Sequence, residues 1–387
     1  MNHIRPDQML EALILTKAGE LNAATAAIQR AINGSRDAGE AKPDTAPIVA
    51  TAVLEPSVPR RFLLDGISAF DAEPRNPTKP PIVEAFIEGT HSRSSQTLRY
   101  KLYTPPDSGG QKLPLVVMLH GCTQNPDDFA AGTAMNLRAR EQGFYVLYPA
   151  QSQRANPSLC WSWYKQTHQQ RGSGEPAFIA SLTEAIIDQH NIDSRRIYVA
   201  GMSAGGAMAM IVATTYPEMY AAVGVHSGLP RGAASDVAGA MKVMKSGTSR
   251  GGAGVRAGRF GAASVRASQP SAFVPAIIFH GDRDQTVHPL NGEQLIASVL
   301  HNTAANDVGE PHATTHVQHG FGAHDRAYTR STYVGEAGKV LAEHWLVHGA
   351  GHTWSGGQAA GSYTDASGPD ATAEMLRFFF EQSPQPN

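Results

Sequence analysis

The sequence predicts an α/β fold in which a mostly parallel central sheet is covered by helices. Three observations support it. Short apolar runs alternate with longer segments of helical periodicity, which is the βαβα order of a parallel sheet. The apolar runs are continuous, as expected for strands buried on both faces. With 387 residues, of which 41% are hydrophobic and 17% charged, the chain can bury a large core.

The first 80 residues are expected to stand apart from this fold. Residues 1–33 predict an amphipathic helix, since Leu10, Ile14 and Leu21 are among the apolar residues on one helical face. We expect this helix to pack on the main domain or on a second subunit, with attachment to a membrane surface as the alternative. Residues 34–80 are rich in Pro and Ala without periodicity and predict a poorly ordered linker. The main domain is expected to span residues 81–385.

The elements of the main domain can be assigned in chain order. Residues 82–88 and 97–103 flank a polar, Ser-rich turn and predict an opening antiparallel hairpin. The runs that predict buried strands are residues 115–119, 144–148, 196–200, 221–225, 276–279 and 343–347. The segments that predict helices are residues 128–140, 175–190, 204–215, 291–301 and 370–382.

Two segments interrupt this pattern. Residues 246–268 are dominated by Gly, Ala, Ser and Arg and predict a mobile, solvated loop, although their arginines could contact an anionic partner. The stretch with His312, His316, His319 and His324 is rich in Thr and Gly and predicts a surface loop. The spacing of His312 and His316 leaves a metal site as the alternative.

Charge and hydropathy exclude several classes of protein. The 32 Lys and Arg against 34 Asp and Glu give a net charge of −2, without the basic field that nucleic acid requires. Every apolar run is far shorter than the roughly 18 residues of a transmembrane helix. Charged residues interrupt the apolar segment near the N-terminus, so no secretory signal is predicted.

The strongest functional signal lies between the predicted strand at 196–200 and the predicted helix at 204–215. Here the sequence reads Gly201-Met202-Ser203-Ala204-Gly205. Strand, G-x-S-x-G and helix in this order form the nucleophile elbow of α/β-hydrolases, where a sharp turn exposes the serine hydroxyl. Side chains in place of the two glycines would collide with neighbouring backbone. We therefore predict Ser203 as a nucleophile, with a simple tight turn as the alternative.

A serine nucleophile needs a base and an orienting acid, which follow it in the order acid, then histidine. Asp284, after the strand at 276–279, is the predicted acid, and Asp282 is its rival, which could instead fix the turn. His352, after the strand at 343–347, is the predicted base. His348 lies at the strand end, where a structural role is expected.

Acyl transfer also needs N–H donors for the developing oxyanion. We predict the backbone N–H groups of Ala204 and of Cys122, which follows an early strand. Cys122 and Cys160 could form a bridge beside this oxyanion hole or remain two free thiols.

Aromatic residues flank the same predicted loops. Trp161, Trp163 and Trp354 could grip an acyl chain or ring and are predicted to bind substrate, with simple packing as the alternative.

Together these motifs resemble a known family. The chain resembles the esterase family of poly(3-hydroxybutyrate) depolymerases over about residues 80–382. The motifs that carry this resemblance are HGCTQNPDDFA, WSWY, GMSAGGAMA, HSGLP, FHGDRDQTVHPLNG and GAGHTWSGG. The resemblance implies an α/β-hydrolase with Ser203, Asp284 and His352 as its triad. Its expected activity is serine-dependent hydrolysis of carboxylic esters, without a metal or organic cofactor.

The resemblance also bears on substrate and location. A polyhydroxyalkanoate polymer or oligomer is the expected substrate, a feruloyl or acetylxylan ester is the alternative, and a catalytically silent binding protein is the alternative of another class. Polyhydroxyalkanoate degradation by this family implies an extracellular location. The lack of a visible secretory signal leaves a cytoplasmic location open.

Overall fold

The computed structural model describes residues 84–94, 96–106, 109–247, 273–304, 313–336 and 338–382. These residues all belong to one compact unit, Asn76–Asn387. The predicted N-terminal helix and linker, the loop at 246–268 after Gly247, and His312 lie outside the described residues, and the predicted domain boundaries stay predictions.

A ten-stranded sheet runs through the described part of the chain. Its strands are β1 Ala85–Arg93, β2 Gln96–Thr104, β3 Leu113–Leu119, β4 Tyr145–Ala150, β5 Ile192–Met202, β6 Ala222–His226, β7 Ala276–Gly281, β8 Thr314–Phe321, β9 Ala327–Val334 and β10 Val340–Val347. They lie in the order β1-β2-β4-β3-β5-β6-β7-β10-β9-β8. The middle strands, from β4 to β10, pair in parallel, and an antiparallel hairpin extends each edge. The prediction of a mostly parallel sheet is confirmed.

Helices cover this sheet. In the described residues they are α1 Pro126–Thr133, α2 Met135–Gln142, α3 Gly174–Gln189, α4 Ala204–Thr215, α5 Val237–Ser246, α6 Leu290–Ala304 and α7 Ala371–Glu381. None of these helices combines the length and apolar character needed to cross a bilayer. A separate pair of short strands, β11 Trp354–Ser355 and β12 Thr364–Asp365, lies before α7.

The core has two layers because the sheet is covered on both faces. Successive residues of β3 alternate between them: Val117 belongs to one apolar cluster and Val116 to the other. Helix α4, nearly all of it buried, packs in the first cluster, and Met375 of α7 packs in the second. Burial of α4 on all sides explains why it is apolar around its whole circumference.

Two predicted elements differ from the structure. The single helix expected over 128–140 is broken at Ala134, whose φ of 52° ends α1 and begins α2. The expected surface loop with the histidines is largely the edge hairpin of β8 and β9, with His316 and His319 on β8 and His324 in the turn. Strand β8 is exposed along almost its whole length, so it lacks the apolar pattern that marks buried strands.

Candidate active site

Ser203 occupies a sharp turn between β5 and α4. Its φ and ψ of 56° and −121° are unusual for a residue with a side chain, and its N–H donates to the His226 carbonyl at 2.9 Å. A Cβ on Gly205 would lie 2.0 Å from the Leu119 carbonyl oxygen, and one on Gly201 would lie 2.4 Å from the Gly205 carbonyl oxygen. The turn that holds Ser203 therefore requires both glycines.

Asp284 and His352 meet at the carboxyl end of the sheet, the same end at which β5 leads into Ser203. The Nδ1–H of His352 donates to Asp284 Oδ2 over 2.7 Å, and Asp284 Oδ1 accepts from the N–H groups of Thr286 and Val287 at 2.9 and 2.8 Å. Burial alone would raise the pKa of the Asp284 carboxyl, but these hydrogen bonds and the nearby imidazoles outweigh it and lower that pKa. A charged Asp284 fixes the proton of His352 on Nδ1, which makes Nε2 an acceptor.

The rival residues Asp282 and His348 pair with each other instead. His348 Nδ1 lies 3.0 Å from Asp282 Oδ2, and the Gly349 N–H donates to Asp282 Oδ1 at 2.7 Å. The second nitrogen of His348, Nε2, lies 2.8 Å from the Thr329 hydroxyl. Two Asp–His pairs thus join the loop after β7 to the loop after β10.

The buried His226 connects Ser203 to the His352 loop. The carbonyl of His226 accepts from Ser203, while its Nε2 accepts from the Ser355 N–H at 3.0 Å. Among the described residues no hydrogen bond joins the Ser203 hydroxyl to His352; such bonds often tighten only when substrate is bound.

The loop after β3 lies against the serine. A Cβ on Gly121 would be 3.7 Å from Ser203 Cβ. Within the part of the chain that the structure describes, the N–H groups of Cys122 and Ala204 have no protein acceptor. Ala204 is the first residue of α4, where N–H groups have no partner inside the helix. A disulfide joins Cys122 to Cys160, so the bridged alternative is the one present.

Comparison with known proteins identifies the family. The family described as esterase PHB depolymerase matches residues 98–316, more than half of the chain. The chain belongs to the esterase PHB depolymerase family. Among its curated relatives are poly(3-hydroxyalkanoate) depolymerase C of Paucimonas lemoignei, 29% identical over 62% of this chain and 54% of that protein, and a probable acetylxylan esterase A of Aspergillus fumigatus, 31% identical over 52% and 53%.

Two further findings define the extent of this likeness. The chain spans about half the length of these two relatives. An acetyl xylan esterase from Aspergillus awamori has the same fold, with a TM-score of 0.53 and 19% identity over 76% of this chain and 99% of that one.

In this member of the esterase PHB depolymerase family, buried histidines surround the site. His120 follows β3, His226 ends β6 and His280 is the last residue but one of β7, and each precedes Gly or Ser-Gly. Burial lowers the pKa of His120 to about 4 and that of His226 to about 3, and it also lowers the pKa of His280. They are therefore neutral hydrogen-bonding supports near pH 7. These three histidines were not predicted from the sequence, although the repeated His-Gly near strand ends was a visible signal.

The three tryptophans predicted to bind substrate lie inside the protein. Trp161, Trp163 and Trp354 are only 1, 5 and 1% exposed. The indole N–H of Trp161 donates to the His120 carbonyl at 3.1 Å, and that of Trp354 donates to the Thr372 hydroxyl at 3.0 Å. For Trp161 and Trp354 this burial fits the packing alternative better than contact with a substrate. Trp163 packs edge-on against Tyr164.

Proposed function

We propose that this protein hydrolyses carboxylic esters through an acyl-serine intermediate on Ser203. The observation that carries the proposal is the 2.7 Å hydrogen bond between His352 and a buried, charged Asp284, at the end of the sheet that holds the strained Ser203 turn. Membership of the esterase PHB depolymerase family supports it.

The proposed reaction has two halves. Ser203 Oγ attacks the ester carbonyl carbon while its proton passes to His352 Nε2, and the resulting oxyanion accepts from the N–H groups of Cys122 and Ala204. The carbon–oxygen bond then breaks, and His352 gives its proton to the departing alcohol. Water attacks the acyl-serine by the same route in reverse, which releases the carboxylic acid and restores Ser203. Asp284 holds the imidazole and stabilises its charged form throughout.

The substrate we propose is a polyhydroxyalkanoate chain or oligomer. This choice is favoured by the extent of the two matches: the poly(3-hydroxyalkanoate) depolymerase matches 62% of this chain and the acetylxylan esterase 52%. An acetylxylan or feruloyl ester is the second candidate, favoured by 31% identity to a probable acetylxylan esterase A and 31% identity to a feruloyl esterase B. The disulfide fits an oxidising compartment, which supports action outside the cell.

Hydrolysis assays test the activity and the substrate separately. We expect the purified protein to cleave p-nitrophenyl butyrate and Ser203→Ala to lower kcat by several orders of magnitude while the circular dichroism spectrum is retained. Absence of hydrolysis by the folded wild type would favour a silent binding protein. A panel of hydroxybutyrate oligomers, acetylated xylan and methyl ferulate then ranks the substrates by kcat/KM. A clear preference for either of the last two would overturn the polyester assignment.

A further inference from the structure

Tyr363 is an aromatic residue at the site that the sequence analysis did not identify. Its side chain is 41% exposed, in contrast to the buried tryptophans. Its carbonyl accepts from the Trp354 N–H at 2.7 Å, two residues beyond His352, and its phenol lies 3.1 Å from the Thr123 hydroxyl. Tyr363 therefore bridges the segment of the predicted base to the loop that carries Cys122.

The segment around Tyr363 is held firmly in place. The Gln358 N–H donates to the Gly132 carbonyl at 2.8 Å, and the Ser362 N–H donates to Asp128 Oδ1 at 2.8 Å. Thr123 and Tyr363 both have positive φ, of 64° and 54°, which is rare for residues with bulky side chains. Strained residues of this kind cluster at ligand sites, where the surrounding contacts hold them in place.

The hydrogen bonds of Thr123 fix the direction in which the phenol can act. The hydroxyl of Thr123 has one proton, and it donates that proton to the Cys122 carbonyl at 2.6 Å. Both contacts can be hydrogen bonds at once only if the phenol of Tyr363 donates to the Thr123 hydroxyl. With its only proton used, the exposed phenol oxygen of Tyr363 presents lone pairs and can only accept.

We propose that Tyr363 determines specificity by accepting a hydrogen bond from a hydroxyl on the acyl part of the substrate. The acyl part is the half of the substrate that stays on Ser203, and its carbonyl would lie against the Cys122 loop. Two hydrogen bonds connect the Tyr363 phenol to that loop, one to Thr123 and one from Thr123 to the Cys122 carbonyl. Esters of acids with a free hydroxyl are therefore favoured over the matching unsubstituted esters. In a polyhydroxyalkanoate chain only the unit at the hydroxyl end has such a group, so the preference applies when that terminal unit is the one transferred to Ser203. This inference rests on the proposed ester hydrolysis and adds which feature of the acyl group Tyr363 recognises.

Three p-nitrophenyl esters that differ at one position test the inference: 3-hydroxybutyrate, butyrate and 3-methoxybutyrate. The hydroxyl can donate a hydrogen bond, the methoxy group can only accept one, and the unsubstituted chain can do neither. For the wild type we expect the hydroxybutyrate-to-butyrate ratio of kcat/KM to be about two to ten, the range of one net hydrogen bond, with no gain for the methoxy ester.

Substitutions at Tyr363 and at Thr123 test the roles of the phenol and of its hydrogen-bond partner separately. Tyr363→Phe should bring the hydroxybutyrate-to-butyrate ratio to about one, whereas the control Tyr100→Phe on β2 should keep the wild-type ratio. Thr123→Val frees the phenol proton, so the methoxybutyrate-to-butyrate ratio should rise, while Thr123→Ser keeps the hydroxyl and the wild-type pattern. Ratios cancel any general loss of activity that a variant causes.

The outcomes distinguish this inference from the proposed function. If the wild type cleaves none of the three esters, the proposed ester hydrolysis fails and the inference fails with it. If it cleaves them and Tyr363→Phe keeps the wild-type ratio, the role of Tyr363 is wrong while ester hydrolysis stands.

Discussion

Two Asp–His pairs connect the same two loops, yet their surroundings differ. The Asp284 carboxylate has no exposure and the His352 imidazole only 13%, whereas for Asp282 and His348 the exposed fractions are 33 and 38%. The second nitrogen of His348 contacts Thr329, whereas the second nitrogen of His352 has no hydrogen-bond partner among the residues that the structure describes. The comparison teaches that environment, not residue type, separates a pair suited to proton transfer from one suited to holding a loop.

The outer pair does hold a loop. Asp282 accepts from both His348 and the Gly349 backbone, and the Asp282 and Arg283 N–H groups donate to the carbonyls of Val347 and Ala350 at 3.1 and 3.0 Å. These contacts set the start of the segment that ends at His352. The two pairs should therefore respond very differently to the same substitution.

The largest expected effect is on the inner pair. Asp284→Asn keeps the shape of the side chain but no longer fixes the His352 proton on Nδ1, so kcat on p-nitrophenyl butyrate should fall about 10⁴-fold. Steady-state kinetics on protein with a native circular dichroism spectrum measure this. A loss smaller than about tenfold would contradict the assignment of the acid.

The outer pair should give a smaller effect. Asp282→Ala removes two contacts that place the His352 segment, and we expect kcat to fall about ten- to a hundredfold through misplacement of the base. Asp282→Asn keeps one oxygen for the Gly349 N–H, so its kcat should fall much less. If Asp282→Asn proves more damaging than Asp284→Asn, the roles of the two carboxylates are exchanged.

A last prediction extends the comparison of buried and exposed groups from activity to stability against pH. His226 and His120 have folded pKa values of about 3 and 4, below the unfolded value of about 6.5. Between these limits the unfolded chain binds more protons, so the free energy of unfolding should fall as pH falls, by about 1.4 kcal/mol per pH unit for each such histidine. Urea unfolding from pH 7 to 4 measures the slope. His120→Asn should reduce it, and an unchanged slope would contradict the burial of a neutral His120.

The parts of the fold that sequence predicts best are those with one environment along their whole length. The run at 115–119 is apolar at every position because β3 is covered on both faces, and it lies within the observed Leu113–Leu119. Strand β8 was missed because solvent on both sides leaves no pattern. At the break the left-handed conformation falls on Ala134, whereas the nearby Gly132 lies inside α1, so the sequence does not mark where the helix ends.

The candidate site divides in the same way. Ser203 is framed by local glycines, so its turn could be predicted from five consecutive residues. The choice between Asp282 and Asp284 depends on which histidine each one meets, a contact between distant parts of the chain. The place of Tyr363 beside the Cys122 loop is shown by its contact with Thr123, far away in sequence, and periodicity carries no information about such contacts.

The close approach at Gly205 has a consequence for how the protein can change. With a Cβ there only 2.0 Å from a backbone oxygen of the neighbouring strand, no other amino acid fits without moving both segments. The serine turn and the loop after β3 thus behave as one part with almost no mutational freedom. The exposed side chain of Tyr363 meets no comparable backbone contact, so directed evolution toward new esters should find accepted mutations at that side chain, while the serine turn stays unaltered.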